Sequence, residues 1–574
     1  MSRVGTFEIM KNSLLSIAEE MKVVLAKTAY SPLLKLAGDY SCGLFDIHGD
    51  MVAQGPDIPI HLGSMPLAVR AVVSAFTSPK PGDVYIHNDP YLGGSHLPDV
   101  NVVTPIFDHN EKLLAYACVR AHWPDIGGPK PGSYAVVTEI FGEGLRIPPV
   151  HLYKEGKPNV DVQALIFNNV RVPEERKGDL RAQLAANKRA SIRLQEMSQK
   201  YGTEQLLNLL QEVKDYSEKM MRSQISLLPD GESFFEDFCD GDGVPDSSGI
   251  DEPFWVRMKV TKKGSEIEID FAGTDPQVSG PMNSPISVTA SGIYTALKMI
   301  VDSADLIPPN SGAWKPITVK APAGSVVNPN PPAPVVYANH EMSHRICDMT
   351  FGAMSKLVPD RVMACSQGTS AVLTFGGIDS RTNKHYVSYE TLTGGMGARP
   401  IKDGGNGLKA GTSNTMNTPV EVLEMSTPVI VDRYELIEDS GGAGEFRGGC
   451  GVRRVTRIYG NEAEATVCCE RTKSPPFGLM GGESGATSSV YIKRISGTEE
   501  DLNSKASFLM KPGDSIYYEV AGAGGFGLKE LRDLSKINKD IANGYVSRAN
   551  AKEIYSLKDN DINPCGMCSE MDST

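Results

Sequence analysis

The stretch "HNDPYLGGSHLPDVN", His87 to Asn101, decides how the first part of this chain folds. It holds two histidines, two aspartates, two asparagines and two prolines around a Gly-Gly pair. Because glycine and proline interrupt regular structure, the composition predicts a loop rather than a helix or a buried strand. Its imidazoles and carboxylates leave three alternatives open, a metal site, a hydrogen-bonded turn and a solvated connection.

The residues around this loop predict one helix followed by short strands. Before it, the segment 7–30 places apolar residues at alternating spacings of four and three, which is typical of an amphipathic helix that ends before Ser31-Pro32. After it, "LLAYACVRA" (113–121) and "AVVTEIFGEGLRI" (135–147) have the character of short strands between Gly/Pro loops.

Further along, the chain becomes helical and then returns to strands. Helix formers with helical apolar spacing fill residues 160–228, whereas "SEIEIDF" (265–271) alternates like a half-buried strand. With 57 glycines and 38 prolines, the rest favours many short strands and turns. The predicted fold class is therefore α+β and multi-domain, with loop-rich mixed and antiparallel sheets and a helical segment around residues 160–228.

The same patterns predict four regions. They are an α+β region that carries the metal-site candidates (1–158), a helical region (159–230), a β-rich region with Gly-rich loops (231–528), and a charged, helical C-terminal tail (529–574).

Charge and composition exclude several classes of partner. A formal net charge of -13 argues against nucleic acid or an anionic membrane surface. No apolar run approaches a membrane span and the start lacks a signal peptide, so we expect a cytoplasmic protein. Its ten cysteines are then expected to be free thiols. The CxxC at Cys565 and Cys568 has no second ligand pair nearby and is a weak metal or redox candidate.

Two H-x-x-D pairs could bind a metal. His96 and Asp99 lie in the opening loop, and His122 and Asp125 repeat the spacing in "RAHWPDIGG". Mixed imidazole and carboxylate ligands suit zinc, iron or manganese, and such an ion activates water for hydrolysis. The spacing alone favours the other interpretation, a set of Asx-turns with histidines that satisfy backbone groups. His61, between apolar residues, is typical of a buried, hydrogen-bonded histidine.

A second histidine motif and the glycine-rich loops give weaker signals. His340, Glu341 and His344 formally satisfy H-E-x-x-H, but a Pro-rich segment precedes them, so His340 would stand at a helix N-terminus. We therefore expect a substrate-side or interface role there rather than a zinc-protease site. No G-x-x-x-x-G-K-[ST] motif occurs in the chain, which leaves it without a P-loop for ATP.

Five ordered segments resemble one known family. "GDYSCGLFD", "HNDPYLGGSHLPDVNVVTPIF", "RAHWPDIGG", "FAGTDPQVSGPMNSP" and "GGCGVRR" together are similar to the hydantoinase B/oxoprolinase family, with a match from about Phe7 to Gly527. The chain looks like the B-type subunit of N-methylhydantoinases, 5-oxoprolinases, caprolactamase and the acetone and acetophenone carboxylases.

The resemblance implies a metal and a set of site residues. The matching positions make His96, Asp99, His122 and Asp39 the expected ligands of one divalent ion (zinc, iron or manganese). Asp125 and Asp89 are expected to hold imidazole tautomers or the water, and His61 is expected beside the site.

The resemblance also implies an activity. We expect an ATP-dependent cyclic amide hydrolase, in which ATP and magnesium are bound by a hydantoinase A-type partner that phosphorylates a lactam, hydantoin or oxoproline. Metal-activated water on this chain would then open the ring. Two alternatives are a component of an ATP-dependent ketone carboxylase and a non-catalytic scaffold for the ATPase partner.

Overall fold

The structure is a computed structural model that describes residues 3–55, 57–302, 304–409 and 411–562. Cys565 and Cys568, the CxxC candidate, lie outside the described residues. The helices are α1 (Arg3–Thr28), α2 (His61–Ala75), α3 (Val160–Asn168), α4 (Pro173–Tyr201), α5 (Thr203–Ser226), α6 (Ile286–Val301), α7 (Ser311–Trp314), α8 (Glu341–Met354), α9 (Val420–Ser426), α10 (Leu534–Ala542) and α11 (Arg548–Tyr555).

Twenty strands are found among the described residues. They are β1 (Tyr40–Phe45), β2 (Met51–Gln54), β3 (Val84–His87), β4 (Asp99–Phe107), β5 (Leu113–His122), β6 (Val150–Lys154), β7 (Lys157–Pro158), β8 (Gly231–Cys239), β9 (Phe254–Lys263), β10 (Glu266–Asp270), β11 (Ile317–Lys320), β12 (Val372–Asp379), β13 (Lys384–Thr391), β14 (Val429–Leu436), β15 (Val452–Ile458), β16 (Ala463–Cys468), β17 (Ser489–Lys493), β18 (Glu499–Asp501), β19 (Lys505–Met510) and β20 (Ser515–Val520).

The strands form four sheets. The first has seven strands in the order β2-β1-β5-β4-β3-β6-β7, and the second has the order β11-β10-β9-β8. Two further sheets have the orders β13-β12-β16-β19 and β14-β15-β20-β17-β18. All pairings are antiparallel except β10 with β11. The expectation of a multi-domain α+β fold with mixed and antiparallel sheets is confirmed, as is the helical segment around residues 160–228.

The seven-stranded sheet is covered on both faces, which explains why its central strands are almost wholly buried. Side chains alternate along a strand, so Val102 packs in the core shared with α1 and α4, whereas Val103 packs against α2. Val119 and Cys118 divide in the same way on the neighbouring strand β5. This double cover fixes the register of β4 against β5 and with it the ends of both strands.

One sequence prediction of a strand is wrong. The segment 135–147 contains no strand; it forms an irregular loop with a short 3-10 turn at Ile140–Gly142. Gly144 takes a positive φ of 137°, and its backbone lies against Ile126, where a β-carbon would come within 2.8 Å of the carbonyl oxygen. The apolar residues that suggested a strand are instead buried singly, for example Ile140 and Ile147.

The largest buried cluster joins distant parts of the chain. It contains Leu33, Leu62 and Tyr134 from the first region together with residues between 221 and 526, including much of α6 and α8. Helices α2, α6 and α8 pack in series, so that α6 lies between the helix that begins at His61 and the helix that follows His340. None of the helices that the structure describes combines the length and apolar character needed to cross a membrane.

Candidate metal centre

Three buried histidines meet in the interior between the seven-stranded sheet and α8. His96, His122 and His340 can each direct one ring nitrogen so that all three atoms lie within 4.8 Å of one another. Their ring centroids are 5.0 Å (His96 to His122), 5.2 Å (His96 to His340) and 6.0 Å (His122 to His340) apart.

The fold brings these residues together through strand ends and a helix start. His122 is the last residue of β5 and pairs directly with Asp99, the first residue of β4. His96 lies three residues before Asp99 in the opening loop, where the Asp99 backbone N–H donates to the His96 carbonyl (3.1 Å). His340 immediately precedes α8. The loop at 88–98 is therefore not a solvated connection, because its residues from Gly94 onward are buried.

Asp99 is the centre of this arrangement. Its Oδ1 lies 3.2 Å from His96 Nε2 and 3.5 Å from His122 Nδ1, and its Oδ2 lies 3.3 Å from His61 Nε2. The Ser95 hydroxyl donates to the same Oδ2. Burial alone would raise the pKa of this carboxyl, but the surrounding imidazoles hold it well below its usual value. Asp99 is thus a carboxylate, able to serve as an anionic ligand.

Several buried atoms here that could bind a metal have no hydrogen-bond partner among the described residues. They are Oδ1 of Asp99 and both ring nitrogens of His122. Burial lowers the pKa of His122 to about 4, so its imidazole is neutral at pH 7 and can coordinate through nitrogen. Buried polar atoms are normally satisfied. Asp99 Oδ1 and His122 Nδ1 lie 3.5 Å apart and both lack a hydrogen-bond partner in the part of the chain that the structure describes, which fits a cation bound by both.

The donor set also fits by its chemistry. Three imidazoles and one carboxylate are the mixed ligands that zinc, iron or manganese accept. In His96 and His340 a ring nitrogen is held by a neighbour, as is usual for metal-binding histidines. His96 Nδ1 lies 3.2 Å from the Val336 carbonyl oxygen, and His340 Nε2 lies 2.7 Å from the Tyr389 hydroxyl. The Tyr389 ring also packs on His122, with centroids 4.3 Å apart.

Two further predicted residues lie beside the cluster. His61, at the start of α2, bridges Asp99 and Ser41, whose Oγ is 2.7 Å from His61 Nδ1. Asp39 is buried, and its carbonyl oxygen accepts from the His122 backbone N–H (3.1 Å). Burial and the nearby Asp99 raise the pKa of Asp39 to about 7, while Lys409 opposes that rise.

The remaining two predicted residues bind arginines. Asp125 accepts from the Arg171 guanidinium (2.9 Å) and from the Arg171 backbone N–H. Asp89 accepts from the Arg146 guanidinium (2.8 Å) and caps the short 3-10 turn at Pro90–Leu92. No direct contact joins either carboxylate to the three histidines among the described residues, so their expected role of holding imidazole tautomers or the water stays a prediction.

Sequence reasoning did not identify His340 as a candidate ligand. The pattern H-E-x-x-H drew attention to it, but the two histidines of that motif separate in the structure. His344 points to Ser370, whose Oγ is 3.2 Å from His344 Nε2, and Glu341 accepts from the Ser370 backbone N–H (3.2 Å). A histidine directly after a Pro-rich segment and before a helix was the available signal, but it did not reveal which distant residues His340 would meet.

Comparisons with known proteins agree on one family. A family model described as Hydantoinase B/oxoprolinase matches residues 5–529. The B-type component of a putative D-/L-hydantoinase from a Pseudomonas species is 32% identical, with 96% of this chain and 94% of that protein covered. The 5-oxoprolinase of Dictyostelium discoideum is 32% identical over 91% of this chain, which spans 40% of that longer protein.

Two solved structures have the same fold. The crystal structure of ATP-dependent caprolactamase from Pseudomonas jessenii matches with a TM-score of 0.89 and 30% identity, covering 100% of both chains. A nucleotide-free acetone carboxylase matches with a TM-score of 0.90 and covers 99% of this chain and 83% of its own. At 19% identity the second likeness concerns the fold alone.

Proposed function

The chain belongs to the hydantoinase B/oxoprolinase family, and from that premise we propose that it is the B-type subunit of a cytoplasmic, ATP-dependent cyclic amide hydrolase. The observation that carries the proposal is the buried centre of His96, His122, His340 and Asp99: one nitrogen of each histidine lies within 4.8 Å of the others, and Asp99 Oδ1 and both His122 nitrogens lack a hydrogen-bond partner among the described residues. The names of the similar proteins, which include a putative hydantoinase, a 5-oxoprolinase and a caprolactamase, support a cyclic amide as substrate.

The residues of this chain would hold and orient the reacting groups. A divalent ion at the centre would supply Lewis-acid chemistry and lower the pKa of a water ligand. Asp99 provides the anionic ligand, and His61 fixes the orientation of Asp99 through its second oxygen. We keep Asp39 as a proposed ligand or proton acceptor, since a carboxyl with a pKa of about 7 can change protonation near neutral pH.

Asp89 and Asp125 receive a supporting role in this proposal. Asp89 lies in the loop that contains His96, and Asp125 lies in the loop that follows His122. Each of these two carboxylates binds an arginine. These ion pairs would hold both loops in place, so that the imidazoles meet without rearrangement when substrate binds.

ATP would enter through a partner. An unstrained amide is a poor electrophile, and phosphorylation of its carbonyl oxygen by ATP would create a leaving group. Water would then add to that carbon, and the ring C–N bond would break with a proton taken up by the nitrogen, which leaves an acyl phosphate. A second water would hydrolyse the acyl phosphate to the ring-opened acid and inorganic phosphate. This chain spans only 40% of a 5-oxoprolinase, which is consistent with a separate A-type partner that holds ATP and magnesium.

Metal content is the direct test of the centre. We expect about one equivalent of zinc, iron or manganese per purified chain, retained by His48→Ala at an exposed histidine and lost from His122→Ala and His340→Ala. Elemental analysis of folded variants measures it. Full metal content in both folded variants would contradict the assignment. Full hydrolase activity of an assembled complex with His122→Ala would favour the scaffold alternative.

The likeness of fold to acetone carboxylase keeps one other activity under consideration. In a ketone carboxylase the same centre would bind an enolate, and a new carbon–carbon bond would form to carbon dioxide. Labelled bicarbonate separates the two proposals, because cyclic amide hydrolysis leaves the label in solution. Incorporation of label into an organic product in an ATP-dependent assay would favour the carboxylase.

A further inference from the structure

A second cavity lies apart from the metal centre. It has a volume of about 670 Å³ and is bordered by α1, by the segment that leads from β2 into α2, and by the end of α6 with the turn after it. None of the three clustered histidines lines it. Ligand pockets for small organic molecules span roughly this size range.

One wall of the cavity presents acceptor oxygens. Glu19 on α1, Gln54 at the end of β2 and Asp57 line it together. Gln54 is 2% exposed, and its carboxamide oxygen has no hydrogen-bond partner among the described residues. The same is true of the buried Oε1 of Glu19. A buried acceptor without a donor is destabilising, so these two acceptors point to a missing donor.

The backbone around Glu19 is shaped for that carboxylate. A β-carbon on Gly55 would come within 2.4 Å of Glu19 Oε1, so only glycine at this position lets the oxygen lie against the chain. Asp57 is fixed separately, because its Oδ2 accepts from the Cys42 backbone N–H (2.8 Å) and its Oδ1 lies 3.1 Å from Lys22 Nζ. Asp57 Oδ1 likewise has no hydrogen bond of good geometry among the described residues, but the ion pair with Lys22 occupies it, so Glu19 and Gln54 are the acceptors left for a ligand.

The lysines that line the cavity already bind carboxylates. Lys11 Nζ lies 2.7 Å from Glu8, and Lys298 Nζ lies 2.7 Å from Asp305. Lys298 also donates to Asp302. These cations belong to ion pairs at the rim and leave the acceptor wall open.

The apolar part of the lining is the larger part, and we call it the apolar wall. It includes Leu15, Leu62, Met299, Leu306, Ile307, Pro308 and Pro309. Leu306 is 64% exposed and Met299 is 43% exposed, so part of this wall faces solvent. A calcium ion would want six or more closely placed oxygens, whereas this cavity offers two free oxygens beside a broad apolar surface.

We propose that this cavity binds an organic cation, an alkylammonium or alkylguanidinium whose N–H groups donate to Glu19 and Gln54 and whose alkyl chain lies on the apolar wall. A protonated nitrogen supplies several donors and a positive charge beside the Glu19 carboxylate. The alkyl chain removes the exposed Leu306 and Met299 surface from water.

Isothermal titration of the full chain with n-hexylammonium tests this inference. We expect saturable binding of one equivalent per chain, and binding at least about tenfold weaker in Glu19→Gln, because a charge-assisted hydrogen bond is lost. Glu20→Gln is the matched control: its carboxylate is the next on α1 and pairs with Arg189 and Arg193. It should bind within about twofold of the unchanged protein.

Neutral and anionic probes complete the design. Hexan-1-ol and hexanoate should bind at least about tenfold more weakly than n-hexylammonium. Gln54→Leu provides a second variant if Glu19→Gln does not fold, with the same expected loss. Absence of saturable binding, equal affinity in the folded Glu19→Gln or Gln54→Leu variant, or equal affinity for hexan-1-ol would each overturn the proposal.

Discussion

Glu143 is a buried carboxyl that shapes the surroundings of His96 without touching it. Its Oε1 accepts from the backbone N–H groups of Val335 and Val336 (2.7 Å to Val336), and the Val336 carbonyl in turn faces His96 Nδ1. Its Oε2 has no hydrogen-bond partner among the described residues. Burial raises the pKa of Glu143 to about 8, although the two backbone N–H groups oppose that rise.

This raised pKa predicts a dependence of stability on pH. Between pH 5 and pH 8 the folded protein keeps a proton on Glu143 that the unfolded chain releases, so the free energy of unfolding falls as pH rises. In Glu143→Gln the two backbone contacts can persist, but the side chain no longer titrates. The decrease in the free energy of unfolding between pH 5 and pH 8 should therefore be smaller than in the unchanged protein, by at most about 3 kcal/mol. Denaturant unfolding at pH 5, 6.5 and 8 measures the difference.

The control for this prediction is Glu139→Gln, an exposed carboxyl in the same loop. It should reproduce the pH dependence of the unchanged protein. If the free energy of unfolding depends on pH in the same way in Glu143→Gln and in the unchanged protein, Glu143 carries no such proton.

At the same scale, the sequence predicts part of the site. His96, Asp99 and His122 stand in polar, Gly/Pro-rich segments, and the family resemblance selected them. His340 could not be selected, because its neighbours are decided by tertiary packing of α8 against α6 and β8. No spacing rule within "YANHEMSHRIC" contains that information.

Glycine-rich loops hold the later sheets together through backbone contact. In the segment 394–408, a β-carbon on Gly404 would come within 2.0 Å of the Met396 carbonyl oxygen and 2.4 Å of the Gly449 nitrogen. A β-carbon on the adjacent Gly405 would meet only the side chain of Leu408, which is 51% exposed and can move.

This contrast within one Gly-Gly pair gives a prediction at the scale of the element. Gly404→Ala should lower the free energy of unfolding by about 1–3 kcal/mol or more, because two backbones must separate. Gly405→Ala should change it by less than about 0.5 kcal/mol. Denaturant unfolding of both variants tests the packing, and equal stability of the two variants would contradict it.

The elements themselves were largely predictable where periodicity is strong. The helix α1 and the helices α3 to α5 follow apolar positions at helical spacing. The order β2-β1-β5-β4-β3-β6-β7 was not predictable, because it depends on pairings between strands far apart in the chain. In the loop 135–147, isolated buried side chains and a required positive φ at Gly144 outweighed local strand preference.

At the scale of the whole molecule, the proposed metal centre joins two parts of the chain. His122 ends β5 of the seven-stranded sheet and His96 lies in the loop that leads into β4, whereas His340 lies beside α8 in a core built with the second sheet. A ligand that binds only the folded state stabilises it by mass action. An ion shared between the two parts should therefore stabilise the entire protein.

Removal of the metal should then lower the melting temperature. With a metal concentration about a thousandfold above Kd, the loss is about 4 kcal/mol, or a fall of about 3–5 °C for a chain of this size. Differential scanning calorimetry with and without a chelator measures it. His340→Ala should respond to chelator by less than about 1 °C; an equal fall in that variant would mean that the stabilising ion binds elsewhere.

The sequence positions of the three histidines also have a consequence for synthesis of the protein. His122 and His340 are 218 residues apart, and a ribosome that adds 5–20 residues per second needs roughly 10–40 s to translate that distance. During this interval the nascent chain offers only part of the ligand set. The complete ligand set can bind a metal only after α8 has been synthesised and packed. The selectivity for the bound ion is therefore a property of the folded protein and does not depend on which ion the nascent chain encounters first.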